Sequence, residues 1–238
     1  MDSEALPVAI LAGGLATRLR PITEKIPKAL IEVGGRAFLE HQIELLSRNS
    51  IKDVILCVGY LGEMIERRYG DGEVLRVRMK YSYDGPKLLG TGGAIKKALR
   101  LLPDAFFVLY GDSYLPVDYH AVTAAFREAR RPALMTVFEN ADTWDISNVW
   151  FQDGCIRLYS KREKLPQMRH IDYGLMICRR QIFDDYPDNV PFDLAEVLEN
   201  LSRNGKLGGY EMHQRFYEIG SPSGLAGLDL LLSKTSNY

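Results

Sequence analysis

Residues 8–21 read VAILAGGLATRLRP, and a Pro-Lys pair follows at residues 27–28. The first four residues are an unbroken apolar run, which is typical of a strand buried on both faces of a parallel sheet. Gly13 and Gly14 have no Cβ, so the backbone behind this strand can turn sharply and approach a ligand. Ligands of open α/β sheets bind at this carboxyl end of the strands. The donors and cations that follow are Thr17, Arg18, Arg20 and Lys28. The stretch therefore predicts a polyphosphate site.

Length and charge restrict the class of protein. The chain has 238 residues, 46% of them hydrophobic, and a net charge of −1 from Lys+Arg 30 against Asp+Glu 31. It is long enough to form one large hydrophobic core. Without an overall basic field, it is not expected to bind nucleic acid. Any anion site must therefore be local.

The cysteines and the N-terminal residues bear on the compartment. The three cysteines, Cys57, Cys155 and Cys178, are far apart and form no CxxC pair, which argues against a disulfide framework and against a zinc site. Residues 1–4 read MDSE, and no apolar run has the length of a signal peptide core or a membrane span. We expect a cytoplasmic protein with no membrane partner. The sequence leaves open whether it forms a homo-oligomer.

Strands and helices are predicted to alternate through the first half of the chain. Residues 53–58 and 105–110 are apolar runs typical of buried strands, and residues 29–33 indicate a short strand. From residue 131 onward the pattern becomes rich in strands. Residues 171–178 form one of them, interrupted by a glycine that indicates either a close approach to a ligand or a bulge. The sequence predicts an α/β fold, a Rossmann-like doubly wound mixed sheet in a single domain over residues 1–238.

Two further motifs follow predicted strands. Residues 88–95 read LLGTGGAI, a second glycine-rich loop that enters a helix. Gly111-Asp112 follows the strand at 105–110 and places a carboxylate at its carboxyl end. Magnesium bound to a nucleotide is usually held by one or two carboxylates together with phosphates and water. Asp112 is therefore the predicted ligand of a Mg²⁺ cofactor.

The first glycine loop is neither a GxxxxGK[ST] motif nor a GxGxxG motif. The pattern GGxxTRLxP followed by PK resembles the signature of the sugar-1-phosphate nucleotidyltransferases, and LGTGGA resembles their second loop. The resemblance implies a nucleotidyltransferase-type sheet in which residues 1–130 mainly bind the nucleotide and the β-rich residues 131–238 mainly bind the sugar. It implies catalytic roles for Arg18 at the leaving pyrophosphate, Lys28 at the α-phosphate and Asp112 at the metal. The implied nucleotide-binding residues are Leu11, Ala12, Gly13, Gly14, Thr17, Arg18, Gly90, Thr91 and Gly92.

The rest of the implied site is carried by the second half of the chain. Where the family has a second metal-binding aspartate, residues 216–222 read FYEIGSP and offer Glu218. Before the second loop, Asp84 is the nearest acid, in place of the usual Glu-Pro pattern. The residues implied to bind the sugar phosphate are Asn148, Lys161, Lys164, Tyr173 and Gly174. Spacing does not choose between the two lysines.

The resemblance implies transfer of a nucleoside monophosphate from an NTP to a sugar 1-phosphate, which yields an NDP-sugar and pyrophosphate by Mg²⁺-dependent direct displacement. Because the second pKa of a phosphate monoester is about 6, the sugar phosphate is already a nucleophile. The chain looks most like the heptose-1-phosphate guanylyltransferases and their short relatives that act on mannose or N-acetylmuramate phosphates. GTP and a heptose- or mannose-type 1-phosphate are the expected substrates. Two alternatives are a cytidylyltransferase acting on a phosphorylated alcohol such as phosphocholine, and a non-catalytic nucleotide-sugar-binding relative, which only Glu218 favours.

Overall fold

The computed structural model describes residues 5–143 and 145–235. The strands are β1 (Val8–Leu11), β2 (Glu32–Val33), β3 (Arg36–Ala37), β4 (Asp53–Val58), β5 (Arg78–Tyr83), β6 (Ala105–Tyr110), β7 (Ser113–Tyr114), β8 (Ala133–Glu139), β9 (Val149–Gln152), β10 (Cys155–Tyr159), β11 (His170–Arg179), β12 (Leu207–Met212) and β13 (Tyr217–Glu218). The α-helices are α1 (Phe38–Arg48), α2 (Gly62–Tyr69), α3 (Gly90–Ala98), α4 (Tyr119–Ala129), α5 (Leu194–Arg203) and α6 (Pro222–Thr235). Short 3₁₀ helices lie at Thr17–Leu19, Ile22–Glu24, Lys28–Leu30, Glu73–Leu75, Leu99–Leu101 and Arg180–Phe183.

The described residues form a nine-stranded mixed sheet in the order β5-β4-β1-β6-β11-β8-β12-β10-β9. Strands β5, β4, β1 and β6 run parallel, and β11 joins β6 in the antiparallel sense. The sheet therefore continues from the first half of the chain into the second. It agrees with the predicted α/β fold and Rossmann-like mixed sheet, while the division into a nucleotide part and a sugar part stays a prediction.

Both faces of the central strands are covered by helices. Alternate residues of β1 belong to different cores: Val8 and Ile10 pack in one cluster with residues of α1, α2 and α4. Ala9 packs on the other face with residues of α3 and α5. Complete burial of a large aliphatic side chain stabilises the fold by roughly 1.5–3 kcal/mol. This two-sided burial explains why these strands are apolar throughout rather than alternating.

Two glycines allow the carboxyl ends of the parallel strands to meet closely. A Cβ on Gly111 would overlap the Leu11 carbonyl, whose carbon would lie only 2.9 Å away. The Gly111 N–H instead donates to that carbonyl oxygen at 3.1 Å. A Cβ on Gly13 would lie 2.9 Å from the amide nitrogen of Gly59. Because the neighbouring atoms are backbone atoms, side-chain rotation cannot relieve either overlap.

The C-terminal segment returns to this edge of the sheet. Strand β13 pairs with β7 so that Glu218 lies opposite Ser113, and the Ile219 N–H donates to the Asp112 carbonyl at 2.9 Å. Helix α6 follows and buries Leu228 against Phe38 in a separate small cluster. This segment brings a residue distant in sequence next to Asp112.

Two local expectations are refined by the structure. The short strand expected at residues 29–33 is wrong over most of its length, since Lys28–Leu30 is a 3₁₀ helix and only Glu32–Val33 forms a strand. The Ile31 side chain is nevertheless buried, so the apolar run reflects burial rather than strand pairing. At Gly174, φ is +97°, and the pairing of β11 with β8 shifts register between Asp172 and Met176. The interruption in this strand is thus a bulge.

Within the described ranges, no helix combines the length and the apolar character needed to cross a membrane.

We expect Gly111→Ala to lower the free energy of unfolding by about 1–3 kcal/mol or more, because the new methyl group would force the β6 turn away from β1. Urea unfolding followed by circular dichroism measures this loss. Gly227→Ala is the matched control, since a Cβ at Gly227 would meet open space and alanine is favoured in helices. Equal stability of the two variants would contradict the close-packing argument.

Candidate active site

A cavity of about 250 Å³ opens at the carboxyl ends of β5, β4, β1 and β6. Both glycine-rich loops contribute to its walls, the first through Gly13 and Gly14 and the second through Gly90 and Thr91. Its lining residues are Leu11, Ala12, Gly13, Gly14, Ala16, Lys28, Cys57, Asp84, Leu88, Gly90, Thr91, Ala94, Tyr110, Gly111 and Asp112. The structure therefore brings together most of the residues expected to bind the nucleotide. Thr17, Arg18 and Gly92 are not part of this lining.

Two contacts with the protein interior hold the first glycine loop in place. Leu19 is buried, and the buried Thr23 hydroxyl donates to the Ala16 carbonyl at 2.9 Å. On the 3₁₀ helix Thr17–Leu19, which follows Ala16, the side chains of Thr17 and Arg18 are exposed. The anchors fix the loop backbone while leaving the arginine side chain accessible to a ligand.

Lys28 and Asp112 form an ion pair in the wall of the cavity. The Lys28 ammonium lies 2.9 Å from the Asp112 Oδ2 atom. Lys28 is held by the 3₁₀ helix that follows Pro27, and Asp112 by the tight turn at Gly111. Both side chains remain partly accessible, at 19% and 30%, so each can also contact a bound ligand.

Glu218 and Arg18 converge on the same place as Asp112. The position that a Cβ on Gly220 would occupy lies 2.6 Å from Glu218 Oε2, 2.8 Å from Arg18 Nη2 and 3.1 Å from Asp112 Oδ2. The backbone N–H of Gly220 and the Ser221 hydroxyl donate to the Glu218 carboxylate, the latter at 2.6 Å. Two carboxylates from distant parts of the chain therefore lie beside one arginine.

These carboxylates fit the chemistry of a magnesium ion. Among the described residues, no cluster of three or more His, Cys, Asp and Glu side chains could hold a metal. Magnesium does not need such a cluster, because substrate phosphates and water commonly complete its six oxygen ligands around one or two carboxylates. The adjoining Asp112 and Glu218 carboxylates meet that requirement.

The second glycine loop is shaped by a neighbouring segment of the chain. Gly90 has a φ of +70°, and a Cβ there would lie 2.6 Å from the Phe192 carbonyl oxygen. The N–H of Gly92 donates to that oxygen at 3.0 Å, and the Phe192 ring fills the space that a Gly92 side chain would need. Gly92 therefore supports the loop from behind, whereas Gly90 and Thr91 face the cavity.

Asp84 forms part of the cavity wall without having been assigned a role from sequence. It follows β5, is 6% exposed, and its Oδ2 atom accepts the Leu89 N–H at 3.0 Å. Burial raises the pKa of this carboxyl, although the Leu89 N–H and the Lys97 charge oppose the shift. Its place at the carboxyl end of a parallel strand is the signal that could have found it.

Thr91 is connected to the predicted sugar side through Asp193. The Thr91 hydroxyl donates to Asp193 Oδ1 at 2.7 Å, and the Lys161 ammonium donates to Asp193 Oδ2 at 3.1 Å. Burial alone would raise the pKa of Asp193, but the Ala195 N–H, the Thr91 hydroxyl and Lys161 outweigh it and lower the pKa. An ionised Asp193 thus ties Lys161 to the cavity wall.

Lys164 and Tyr173, which were also expected on the sugar side, lie away from the cavity. Lys164 pairs with Asp142 at 3.2 Å, and neither residue lines the cavity. Tyr173 is 1% exposed and packs edge-on against Phe216. The structure therefore separates the two candidate lysines and gives Tyr173 a place in the core.

Hydrogen bonds through Asp172 connect Gly174 and Asn148 to the cavity residue Tyr110. Asp172 accepts the Tyr110 hydroxyl at 3.0 Å and the Gly174 N–H at 3.0 Å, while its own N–H donates to Asn148 Oδ1 at 3.2 Å. Because Tyr110 lines the cavity, these residues form a layer immediately behind its wall. Sequence reasoning assigned no role to Tyr110, although it directly precedes the Gly111-Asp112 motif.

Comparisons with known proteins agree with this arrangement. The family model described as nucleotidyl transferase matches residues 8–144, more than half of the chain. The D-glycero-alpha-D-manno-heptose 1-phosphate guanylyltransferase of Campylobacter jejuni is 32% identical over 90% of this chain and 94% of its own length. The N-acetylmuramate alpha-1-phosphate uridylyltransferase of Caulobacter vibrioides is also 32% identical, over 92% of this chain and 94% of its own length.

Solved structures show the same fold. HddC from Yersinia pseudotuberculosis, in complex with GMP-PN, superposes with a TM-score of 0.79 at 25% identity, covering 95% of this chain and 99% of its own. The inositol-1-phosphate CTP transferase from T. maritima gives a TM-score of 0.79 at 22% identity, covering 98% of this chain and 97% of its own. This second similarity is one of fold alone. The predicted resemblance is confirmed, and this chain belongs to the nucleotidyl transferase family, among the sugar-1-phosphate nucleotidyltransferases.

Proposed function

We propose that the protein transfers a nucleoside monophosphate from an NTP to a sugar 1-phosphate, giving an NDP-sugar and pyrophosphate. The observation that carries this proposal is the convergence of Lys28, Asp112, Glu218 and Arg18 beside a cavity walled by two glycine loops. Relatives that align along nearly their whole length are named as such transferases. The finer assignment is GTP with a heptose- or mannose-type 1-phosphate, supported by the names of the guanylyltransferase relatives.

The proposed reaction is an in-line displacement at the α-phosphorus of the NTP. A phosphate oxygen of the sugar 1-phosphate forms the new bond, and the bond from that phosphorus to the β-phosphate oxygen breaks. The nucleophile already carries negative charge at pH 7, since its second pKa is about 6. The protein therefore needs to position two anions and offset their repulsion rather than remove a proton.

The residues around Asp112 suit this task. Lys28 can place its ammonium against the α-phosphate, and Arg18 can contact the leaving pyrophosphate through its fork of donors. Asp112 and Glu218 would hold Mg²⁺, which neutralises phosphate charge and orients the phosphates when bound. The N-terminus of α3, which presents Gly90 and Thr91 to the cavity, adds a favourable dipole for an anionic ligand.

The alternatives make different predictions. A cytidylyltransferase acting on phosphocholine requires CTP and a phosphorylated alcohol, and a non-catalytic relative forms no product. The position of Glu218 next to Asp112 weighs against the non-catalytic alternative, because the longer side chain still brings its carboxylate to the expected place.

A pyrophosphate-release screen with four NTPs against sugar 1-phosphates and phosphocholine tests the proposal. We expect turnover with a sugar 1-phosphate, and a loss of about 100-fold or more in Asp112→Asn, because the variant lacks a charged ligand for the Mg²⁺ that would neutralise the phosphates. Asp104→Asn is the control, since Asp104 forms an exposed ion pair with Arg179 before β6. Turnover with phosphocholine but with no sugar 1-phosphate would contradict the proposed reaction. Near-normal activity of Asp112→Asn would contradict the role proposed for Asp112.

Glu218→Gln keeps the side-chain length but removes its charge. We expect the Mg²⁺ concentration for half-maximal rate to rise about tenfold or more, as for other changes in metal-holding groups. A Mg²⁺ titration of the initial rate at saturating substrates measures this shift. An unchanged midpoint would show that Glu218 serves only the backbone turn at Gly220.

Lys161 and Lys164 provide a matched pair for the sugar-phosphate site. Only Lys161 is tied to the cavity wall, through Asp193 and Thr91, so Lys161→Met should raise the KM for the sugar 1-phosphate about tenfold or more by loss of a charge-assisted contact. Lys164→Met should leave this KM within about twofold, since its partner is an exposed surface carboxylate. Initial-rate kinetics at saturating NTP measure both KM values. A larger rise of KM in Lys164→Met than in Lys161→Met would place the sugar-phosphate site near Asp142.

A further inference from the structure

Asp193 is an acid beside the cavity whose two carboxylate oxygens have different partners. Its Oδ1 atom accepts the Thr91 hydroxyl at 2.7 Å and the Ala195 N–H at 3.0 Å. Its Oδ2 atom accepts the Lys161 ammonium at 3.1 Å. The first oxygen therefore caps helix α5 and joins it to the second glycine loop, while the second oxygen is directed at a lysine.

The contacts of Oδ1 account for the structural task of Asp193. The Thr91 hydroxyl also accepts the Leu194 N–H at 2.8 Å, so hydrogen bonds hold the loop against the first turn of α5. The ion pair at Oδ2 is different, because the Lys161 and Asp193 side chains are 51% and 45% exposed. An exposed pair of this kind adds little to the stability of a fold. Its main consequence is therefore the place in which it holds the ammonium.

The ion pair holds the Lys161 ammonium close to the cavity wall. A single carboxylate group separates it from the hydroxyl of Thr91, which lines the cavity. Burial raises the pKa of Asp172, and the Lys161 charge is among the groups that oppose this rise, so the lysine also lies near the layer behind the wall. An ammonium has three donors, of which Asp193 uses one. Two donors remain for the oxygens of an acceptor phosphate.

We propose that Asp193 is a positioning residue that holds the Lys161 ammonium ready for the phosphate of the sugar 1-phosphate. The inference rests on the proposed nucleotidyltransferase function and adds to it a residue that acts through the lysine. A lysine on its flexible four-carbon stem loses conformational entropy when it binds a phosphate. Because the ion pair restricts the stem before the substrate arrives, less entropy is lost on binding.

The negative charge of Asp193 also repels the acceptor phosphate, which opposes the benefit of positioning. Both side chains are about half exposed, so water and salt screen this repulsion. Loss of the charge therefore has two effects on the KM for the sugar 1-phosphate, a rise from the freed lysine and a smaller fall from the lost repulsion. The sign of the measured change shows which effect is larger.

Asp193→Asn tests the proposal because it separates the two oxygens. The amide oxygen still accepts from Thr91 and Ala195, and asparagine is as good an N-cap as aspartate, but the amide nitrogen cannot accept from an ammonium. We expect the KM for the sugar 1-phosphate to rise about fivefold, the cost of ordering one more side chain, while the KM for the NTP stays within about twofold. Initial rates with GTP and mannose 1-phosphate, or with the most active pair of the screen, measure both values. An unchanged or lower KM for the sugar 1-phosphate, or an equal rise in both KM values, would overturn the proposal.

Asp142→Asn is the matched control. The Oδ1 atom of Asp142 accepts the Ser147 N–H at 2.7 Å and its Oδ2 atom accepts the Lys164 ammonium at 3.2 Å, and this pair is exposed to a similar degree. It should leave both KM values within about twofold. Asp193→Ser, another good N-cap, should reproduce the rise for the sugar 1-phosphate. An equal rise in Asp142→Asn, or no rise in Asp193→Ser, would contradict the assignment.

A double-mutant cycle with Lys161→Met distinguishes positioning from a structural role. If Asp193 acts through the lysine, Asp193→Asn should leave the KM for the sugar 1-phosphate unchanged or lower it in the Lys161→Met protein, because only the repulsion is then removed. A purely structural effect would raise this KM by the same factor with and without the lysine. That second result would refute the role of Asp193.

Calorimetric binding of mannose 1-phosphate in the presence of GMPCPP, whose α,β-methylene bridge blocks the transfer, separates this inference from the proposed reaction. Weaker binding by Asp193→Asn together with no pyrophosphate release from any substrate pair would refute the transferase proposal and leave the positioning of Lys161 standing. Turnover with equal KM values in the unaltered protein and in Asp193→Asn would leave the reaction standing and refute the inference. Absence of both turnover and binding would refute both.

Discussion

The contact between Gly111 and the Leu11 carbonyl controls how closely β6 approaches the first glycine loop. Without a Cβ at Gly111, its N–H reaches the end of β1, and the next residue, Asp112, points its carboxylate toward Lys28. The C-terminal strand then pairs alongside, which adds Glu218 to the same place. The positions of both carboxylates therefore depend on one backbone contact between neighbouring parallel strands.

The charges along the cavity are unevenly distributed. Lys28 and Arg18 lie near Asp112, where the phosphates are proposed to bind, while the buried Asp84 lies behind β5. The buried surroundings strengthen such differences, because charges are less screened there than in water. The two cations are therefore concentrated at the end of the cavity where β6 and the first glycine loop meet.

Sequence reasoning predicted the parts of the site that are contiguous in the chain. Apolar runs such as 8–11 and 105–110 identified buried strands, and the glycines and Asp112 behind them follow from the rule that parallel strands present their carboxyl ends together. It could not choose between Lys161 and Lys164, because only the long-range contact with Asp193 and Thr91 distinguishes them. It also placed Tyr173 at the sugar, since burial against Phe216 depends on a segment more than forty positions away.

The glutamate at position 218 has a consequence for how this sequence can change. Its carboxylate is folded back over the first turn of α6, and a Cβ on either Gly220 or Gly224 would collide with it. An aspartate at this position would be one methylene shorter and would withdraw from both glycines. Shortening the acid would move its carboxylate away from the place of a Gly220 side chain, whereas a Cβ at Gly224 would still lie 2.5 Å from the Glu218 backbone carbonyl oxygen. A substitution at Gly220 is therefore expected to follow a change at Glu218, while position 224 is expected to stay glycine with either acid.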